Sequence, residues 1–266
     1  MASYSGQMQI EGKVALVTGA SAGIGACCVE SLRRRGARLA VTARDGEALR
    51  RVAGGDSLVI PGDLTDGASR KRTVEQTISH FGAIDILINN AGAGLYAPSW
   101  NAPMDSVRAL FELNFFAALD LIHLVVPHMR RRKAGTIVNV GSIGGKVALP
   151  WLTLYSASKF AIGALTDGLR MELRRDGIHA MTVCPGYVRT GFQSHALFGS
   201  PPQPVRESRR FTITPQQCAE AIVRGIERDA RTVVTPASGW ALILAAHVFP
   251  ALVERRLEKM LRERAA

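Results

Sequence analysis

The sequence predicts an α/β protein built on a doubly wound parallel sheet with helices on both faces. Three observations predict it. Short apolar runs rich in β-branched residues recur at 14–18, 38–43, 57–61, 84–89, 136–140, 179–184 and 232–234. Helix-like stretches separate most of them, and chains that alternate in this way form parallel sheets through right-handed crossovers. Finally, Gly19, Asn90, Ser142 and Pro185 each fall within a few residues of a strand end. Ligands of such sheets bind beyond the carboxyl ends of the strands, near the point where strand order reverses, so one edge would collect these residues.

Length and composition fit one domain over residues 1–266, with 47% hydrophobic and 21% charged residues supplying ample apolar material for a core. Cys27, Cys28, Cys184 and Cys218 lack the spacing of a metal site, and adjacent Cys27 and Cys28 suit no ordinary disulfide. They read as idle thiols in a reducing compartment, and no metal is expected. Residues 1–12 carry neither a positive n-region nor an apolar h-region, which makes the cytoplasm the expected location. The net charge of +11 invites a polyanionic partner. Its basic clusters at 33–35, 70–72 and 130–133, however, lie in or at the ends of helix-like stretches without interleaved aromatic residues, so nucleic acid is not expected.

The first strand runs into TGASAGIG at 18–25, with Gly19, Ser21, Gly23, Ile24 and Gly25, and a helix follows. Glycines there let the backbone turn sharply and approach a pyrophosphate, whose charge the helix N-terminus favours. Alone, the turn is ambiguous, because ordinary turns also need glycine. It is joined by NNAG at 89–92, by Asn114, by Ser142 and by YSASK at 155–159. Over residues 13 to about 190 these motifs, in this order, resemble the short-chain dehydrogenase/reductase family in its single-domain branch. The resemblance implies a Rossmann-type fold, a nicotinamide cofactor and the interconversion of a carbonyl with a secondary alcohol on a small molecule.

Tyr155 and Lys159 are four residues apart and share one helical face. A tyrosine titrates near ~10, and a nearby ammonium is the obvious means of lowering that value. By the resemblance, Tyr155 acts as general acid toward a carbonyl and as base toward an alcohol, and Ser142 hydrogen-bonds the same oxygen. Lys159 also contacts the nicotinamide ribose, and Asn114 holds a water that links the lysine to solvent. Asp63, followed by Leu64, matches the position at the adenine amine, Asn90, Ala91 and Gly92 the segment beside the adenosine ribose, and Pro185, Gly186, Val188 and Thr190 the clamp on the carboxamide.

NAD is distinguished from NADP at the end of the second strand, where an acidic residue would hold the ribose 2′-hydroxyl. Ala43 stands there, and Arg44 follows with a guanidinium suited to a 2′-phosphate, so NADP(H) is expected over NAD(H). Neighbouring Asp45 opposes that inference by its charge.

Two rival readings are a reductase of 3-oxoacyl groups on an acyl carrier, for which 130–133 would be the landing site, and a catalytically silent NADP(H) sensor. Substrate specificity is assigned to loops 93–100, 143–152 and 191–211, the last containing the Pro-rich stretch 200–204. Long apolar helices are expected over 104–132, kinked at Pro127, and over 155–175. Their excess apolar surface, and the pairing of these helices in the family resembled, imply a homodimer or homotetramer.

The C-terminal segment 238–264 reads as amphipathic. The apolar run 240–253 is too short to cross a bilayer core of about 30 Å, so no transmembrane segment is expected there. After Pro250, Val253, Leu257, Met260 and Leu261 share one face, and Arg255, Arg256, Lys259, Arg262 and Glu263 occupy the rest. A core helix is the plainest reading. Beyond it, a cover over the substrate site or a subunit contact ranks ahead of contact with a membrane surface.

Overall fold

The computed structural model describes residues 8–201 and 212–262, with side chains up to Lys259. Half of the 191–211 loop, and Met260, Leu261, Arg262 and Glu263 as side chains, therefore lie outside the described residues. The elements are β1 (Val14–Thr18), α1 (Gly23–Arg33), β2 (Arg38–Ala43), α2 (Gly46–Ala53), β3 (Leu58–Pro61), α3 (Gly67–Phe81) and β4 (Ile86–Asn89). Then come α4 (Met104–Phe111), α5 (Ala117–Arg132), β5 (Gly135–Val140), α6 (Thr153–Glu172), β6 (Ile178–Pro185), α7 (Pro215–Glu227), β7 (Thr232–Thr235), α8 (Gly239–Val248) and α9 (Pro250–Arg262).

The seven strands form one sheet in the order β3-β2-β1-β4-β5-β6-β7, and every pairing is parallel. Strand order reverses between β1 and β4, where Val17 lies opposite Ile88. Alternate residues of each strand feed opposite cores. Ala15 and Val17 pack with Cys28, Val29 and Leu32 of α1 and with Ile222 and Val223 of α7, whereas Leu16 packs with Leu121 and Val125 of α5 and Leu169 of α6. Covered on both faces, the strands have little room for polar side chains, which is why they read as nearly continuous apolar runs.

Asp45 and Asp66 accept backbone N–H groups at the starts of α2 and α3. Thr214 and Gln217 close a capping box at the start of α7, with Pro215 first in the helix. Asp85 accepts the N–H of Val14 at 2.8 Å and pairs with Arg132, which ties the end of α5 to the start of β1.

Most cations of the basic clusters pair with carboxylates of the fold, some partly buried and some at its surface. Arg34 and Arg35 pair with Glu220, Arg35 also with Glu227, and Arg70 with Glu112 and Asp120. Arg130 and Lys133 meet Asp176.

The two expected long helices form, with differences of detail. The stretch Met104–Arg132 is helical throughout, with Pro127 inside α5 and a further irregularity upstream of it, a π-helical turn at Glu112–Phe116. The second helix ends at Glu172 rather than 175, because the chain tightens into a 3-10 turn over Arg174–Asp176. Among the described residues, Met104–Arg132 is long and apolar enough to cross a membrane. Its inner residues Leu121, Ile122, Val125 and Met129 are nevertheless buried against the sheet, the position of a core helix.

Candidate active site

The glycine-rich turn joins β1 to α1 and has the shape a pyrophosphate needs. Gly19 takes a positive φ of 61°. A Cβ at Gly25 would stand 2.2 Å from the Gly19 carbonyl oxygen, so only glycine lets the helix start against the turn. α1 begins after Ala22 with no side-chain cap, which leaves its first N–H groups for an anion. Ser21 lines the turn half-buried, and Ile24 packs inward on the core.

Thr18 and Asn90 brace the turn. The Thr18 hydroxyl donates to the Ile88 carbonyl and accepts the N–H groups of Asn90 and Ala91, each at 3.0 Å. The Asn90 amide donates to the carbonyls of Thr18 and Gly19 at 2.9 and 3.1 Å. Asn90 thus shapes the turn itself as well as the wall beside it.

At the rim, Asp63 stands exposed after β3, accepting from Thr65, and Leu64 is buried beneath it. Arg44 is exposed after β2 and has no hydrogen-bond or ion-pair partner among the described residues. Asp45, its acidic neighbour, accepts the Ala48 N–H at 2.9 Å and caps α2. Pro185 ends β6, the Gly186 N–H donates to Thr235, and Val188 bridges to Ile213. Thr190 returns to the glycine turn, its methyl 3.2 Å from where a Gly23 side chain would begin. The predicted cofactor residues therefore line one edge of the sheet.

The catalytic candidates meet beside it. Ser142 follows β5, half-buried, and hydrogen-bonds the phenol of Tyr155 from α6. Lys159, one turn further on and 5% exposed, donates to the Val140 carbonyl at 2.9 Å. Asn114 sits in the π-helical turn, a common device at functional sites. Its side chain accepts the Ala93 N–H at 2.9 Å and donates to the Ala93 carbonyl and to Ser158 at 3.0 and 3.1 Å. Asn114 and Lys159 come together at Gly92, where a Cβ would stand 3.1 Å from one and 3.3 Å from the other.

The charge states correct one expectation. The Tyr155 phenol is not lowered by Lys159. Burial pushes it up to about 12, and the Ser142 hydrogen bond opposes this only in part. The ammonium lies 5.7 Å from the tyrosine ring centroid and is directed at Val140, too far to outweigh desolvation. Burial also brings Lys159 down to about 8.

An apolar cap covers the phenol. Leu95, Ala97 and Leu110 pack on Tyr155 with Leu152, Leu154 and Phe192, whose ring meets the tyrosine edge-on at 5.7 Å. The Leu197 N–H donates to Gly94 and the Tyr96 N–H to Phe198, so the first part of the 191–211 loop is stitched to the segment after NNAG. Tyr96 hydrogen-bonds Gln193 and lies near the phenols of Tyr155 and Tyr187. Sequence reasoning named these loops but not Tyr96, Tyr187, Phe192 or Gln193 individually. The only signal was an aromatic residue two positions past Thr190.

The short chain dehydrogenase family model matches residues 13–197. The chain is 32% identical to dehydrogenase/reductase SDR family protein 7-like from Anopheles gambiae, over 94% of this chain and 85% of that protein. A short chain dehydrogenase from Burkholderia cenocepacia in complex with NADP is 30% identical with a TM-score of 0.80, over 94% of this chain and 99% of that one. A short chain dehydrogenase/reductase from Burkholderia phymatum in complex with NAD is 25% identical with a TM-score of 0.84, over 92% and 96%.

Burial of Lys159 has a signature in stability. Its folded value of about 8 lies below the usual 10.5, so the unfolded chain binds more protons between these pH values and folding gains stability as pH rises through them. The gain amounts to roughly 3 kcal/mol and is absent below the window. Relative to Lys159→Met, the wild type should gain about that much unfolding free energy between pH 8 and 10.5 in denaturant titrations. A pH-independent difference would show that the ammonium is not desolvated.

Proposed function

We propose, since the chain belongs to the short-chain dehydrogenase/reductase family of nicotinamide-dependent oxidoreductases, that it uses NADP(H) to interconvert a carbonyl and a secondary alcohol on a hydrophobic small molecule. The convergence of Ser142, Tyr155, Lys159 and Asn114 beneath an apolar cap carries this reading. The cofactor, when bound, supplies or takes the hydride. The chain's own residues move and steady the proton. Held protonated by burial, the Tyr155 hydroxyl donates to the oxygen of a carbonyl as charge develops there, and Ser142 hydrogen-bonds the same oxygen. Running the reaction toward the ketone requires the phenolate, which the Ser142 hydrogen bond favours and which the cationic oxidised ring of a bound cofactor would stabilise. Asn114 positions α6 through Ser158, and a water beside it would link Lys159 to solvent.

Three observations support the finer points. Arg44 is unengaged while Asp45 is committed to capping α2, an arrangement suited to a 2′-phosphate. The walls around Tyr155 are apolar, with Tyr96, Tyr187 and Gln193 as the polar exception. The basic run at 130–133 is engaged with Asp176 and Asp85, which lowers the acyl-carrier reading. The same argument supports a small-molecule substrate rather than nucleic acid, and the cytoplasm remains the compartment we propose. The helix Met104–Arg132 leaves Phe116 half-exposed beside a groove of about 380 Å³ lined by Val107, Phe111 and Phe116 together with Arg108 and Glu112, a face we assign to a second subunit in a homodimer or homotetramer.

Tyr155→Phe should retain cofactor binding and lose about a hundredfold to ten-thousandfold in kcat. Near-normal turnover of a good substrate would remove the general-acid assignment, and absence of turnover by the wild type on any ketone, aldehyde or acyl thioester would favour the silent sensor. Arg44→Ala should weaken NADPH binding about ten- to a hundredfold and leave NADH unchanged. Equal wild-type kcat/KM for the two cofactors contradicts the 2′-phosphate role. Light scattering should give a dimer or tetramer, and a 28.6 kDa monomer refutes the subunit face.

A further inference from the structure

The C-terminal helices α8 and α9 pack on the body of the protein by one side only. Ile243, Ala246, Val253 and Leu257 face Ile143, Val147, Cys184 and Val234, and Gly239 lets α8 press close against Ile143 and Val234. The opposite side carries Trp240, Leu244, Val248, Phe249 and Leu252. Of these, Leu244 is 65%, Phe249 61% and Leu252 67% exposed. No Asp, Glu, Lys or Arg occurs from residue 239 to 253. A helix apolar all round is normally covered all round, and this one is covered on one side.

Directly after the ridge, the exposed residues of α9 include Arg255, Arg256 and Lys259, and basic residues outnumber acidic ones five to three from 254 to the C-terminus. We propose that the α8–α9 pair docks the protein on the surface of an anionic lipid bilayer, with the apolar ridge in the interface and the cations against the headgroups. At about 1.5 Å per residue, α8 is roughly 15 Å long and cannot span a core of about 30 Å, so it lies in the plane of the membrane. Trp240, at the first turn of α8, has the amphipathic ring that settles at headgroup level.

The competing occupants fit less well. A lid over the substrate is already formed by Phe192 and the loop stitched to Gly94 and Tyr96, while the ridge points away from the packed side that meets Ile143 and Val147. A second copy docked ridge to ridge would join two chains that each carry a net charge of +11, whereas an anionic surface complements that charge. The proposal stands independently of the substrate reading.

Flotation of the full-length protein with phosphatidylcholine vesicles, alone or containing about one-third phosphatidylglycerol, tests it. Binding to the anionic vesicles should exceed binding to the neutral ones by about tenfold or more and should weaken with salt. The double variant Leu244→Asp, Leu252→Asp should lose at least about tenfold in vesicle affinity, with unchanged oligomeric mass and unchanged kcat/KM on a water-soluble ketone. Arg255→Gln with Arg256→Gln should remove most of the anionic preference. Failure of the wild type to bind anionic vesicles at low salt overturns the proposal, as does unchanged binding by the Asp variant. A fall in oligomeric mass in that variant also overturns it, by giving the ridge to a second copy.

Discussion

The site depends on one junction, the contact between the end of β1 and the end of β4 where strand order reverses. Thr18 uses its hydroxyl fully there, donating to Ile88 and accepting from Asn90 and Ala91, and the Asn90 amide returns to Thr18 and Gly19. Because buried backbone groups must be paired, this junction has little freedom to relax. Hydrogen bonds continue from it. Ala93 is held by Asn114, Asn114 by Ser158, and Ser158 by the Tyr155 carbonyl, so the phosphate turn and the catalytic helix belong to one connected network.

A second polar track runs beneath the first. The Asn89 amide donates to Asn139, and the Asn139 amide to Thr166 of α6, across positions that face each other in the β4–β5 register. Hydrogen bonds of this kind brace buried elements, although the Asn89 side-chain oxygen itself finds no partner among the described residues. Here they hold α6 against the sheet while Lys159, a buried cation with only the Val140 carbonyl as hydrogen-bond partner among the described residues, works against stability. A packed apolar residue would suit the fold better at that position. The role proposed for Lys159 would account for the lysine, in keeping with the tendency of functional sites to be locally unfavourable.

Charge on this molecule falls into two populations. Most of the helix-end arginines serve as internal fasteners, Arg35 and Arg70 each bridging two carboxylates that are distant in sequence. The cations after residue 254 instead follow an apolar ridge that the protein leaves open. Net charge alone could not separate these cases, since only geometry says which cations fasten elements of the body together and which follow an exposed apolar ridge.

Much was legible in the sequence, for local reasons. Strand alternation, the TGASAGIG turn and the four-residue spacing of Tyr155 and Lys159 are short-range patterns, and each lies where the pattern put it. What the sequence alone determined was the α/β class and the family. Tertiary structure decided the rest, because it depends on groups brought together from distant parts of the chain. Desolvation raises Tyr155 where a nearby lysine was expected to lower it, Phe192 and Tyr96 converge over the phenol, and Asp45 turns from a counter-charge for Arg44 into a helix cap. The open side of α8 was invisible for the same reason: an apolar run has identical letters whether or not the body of the protein covers it, and burial is a property of neighbours rather than of sequence.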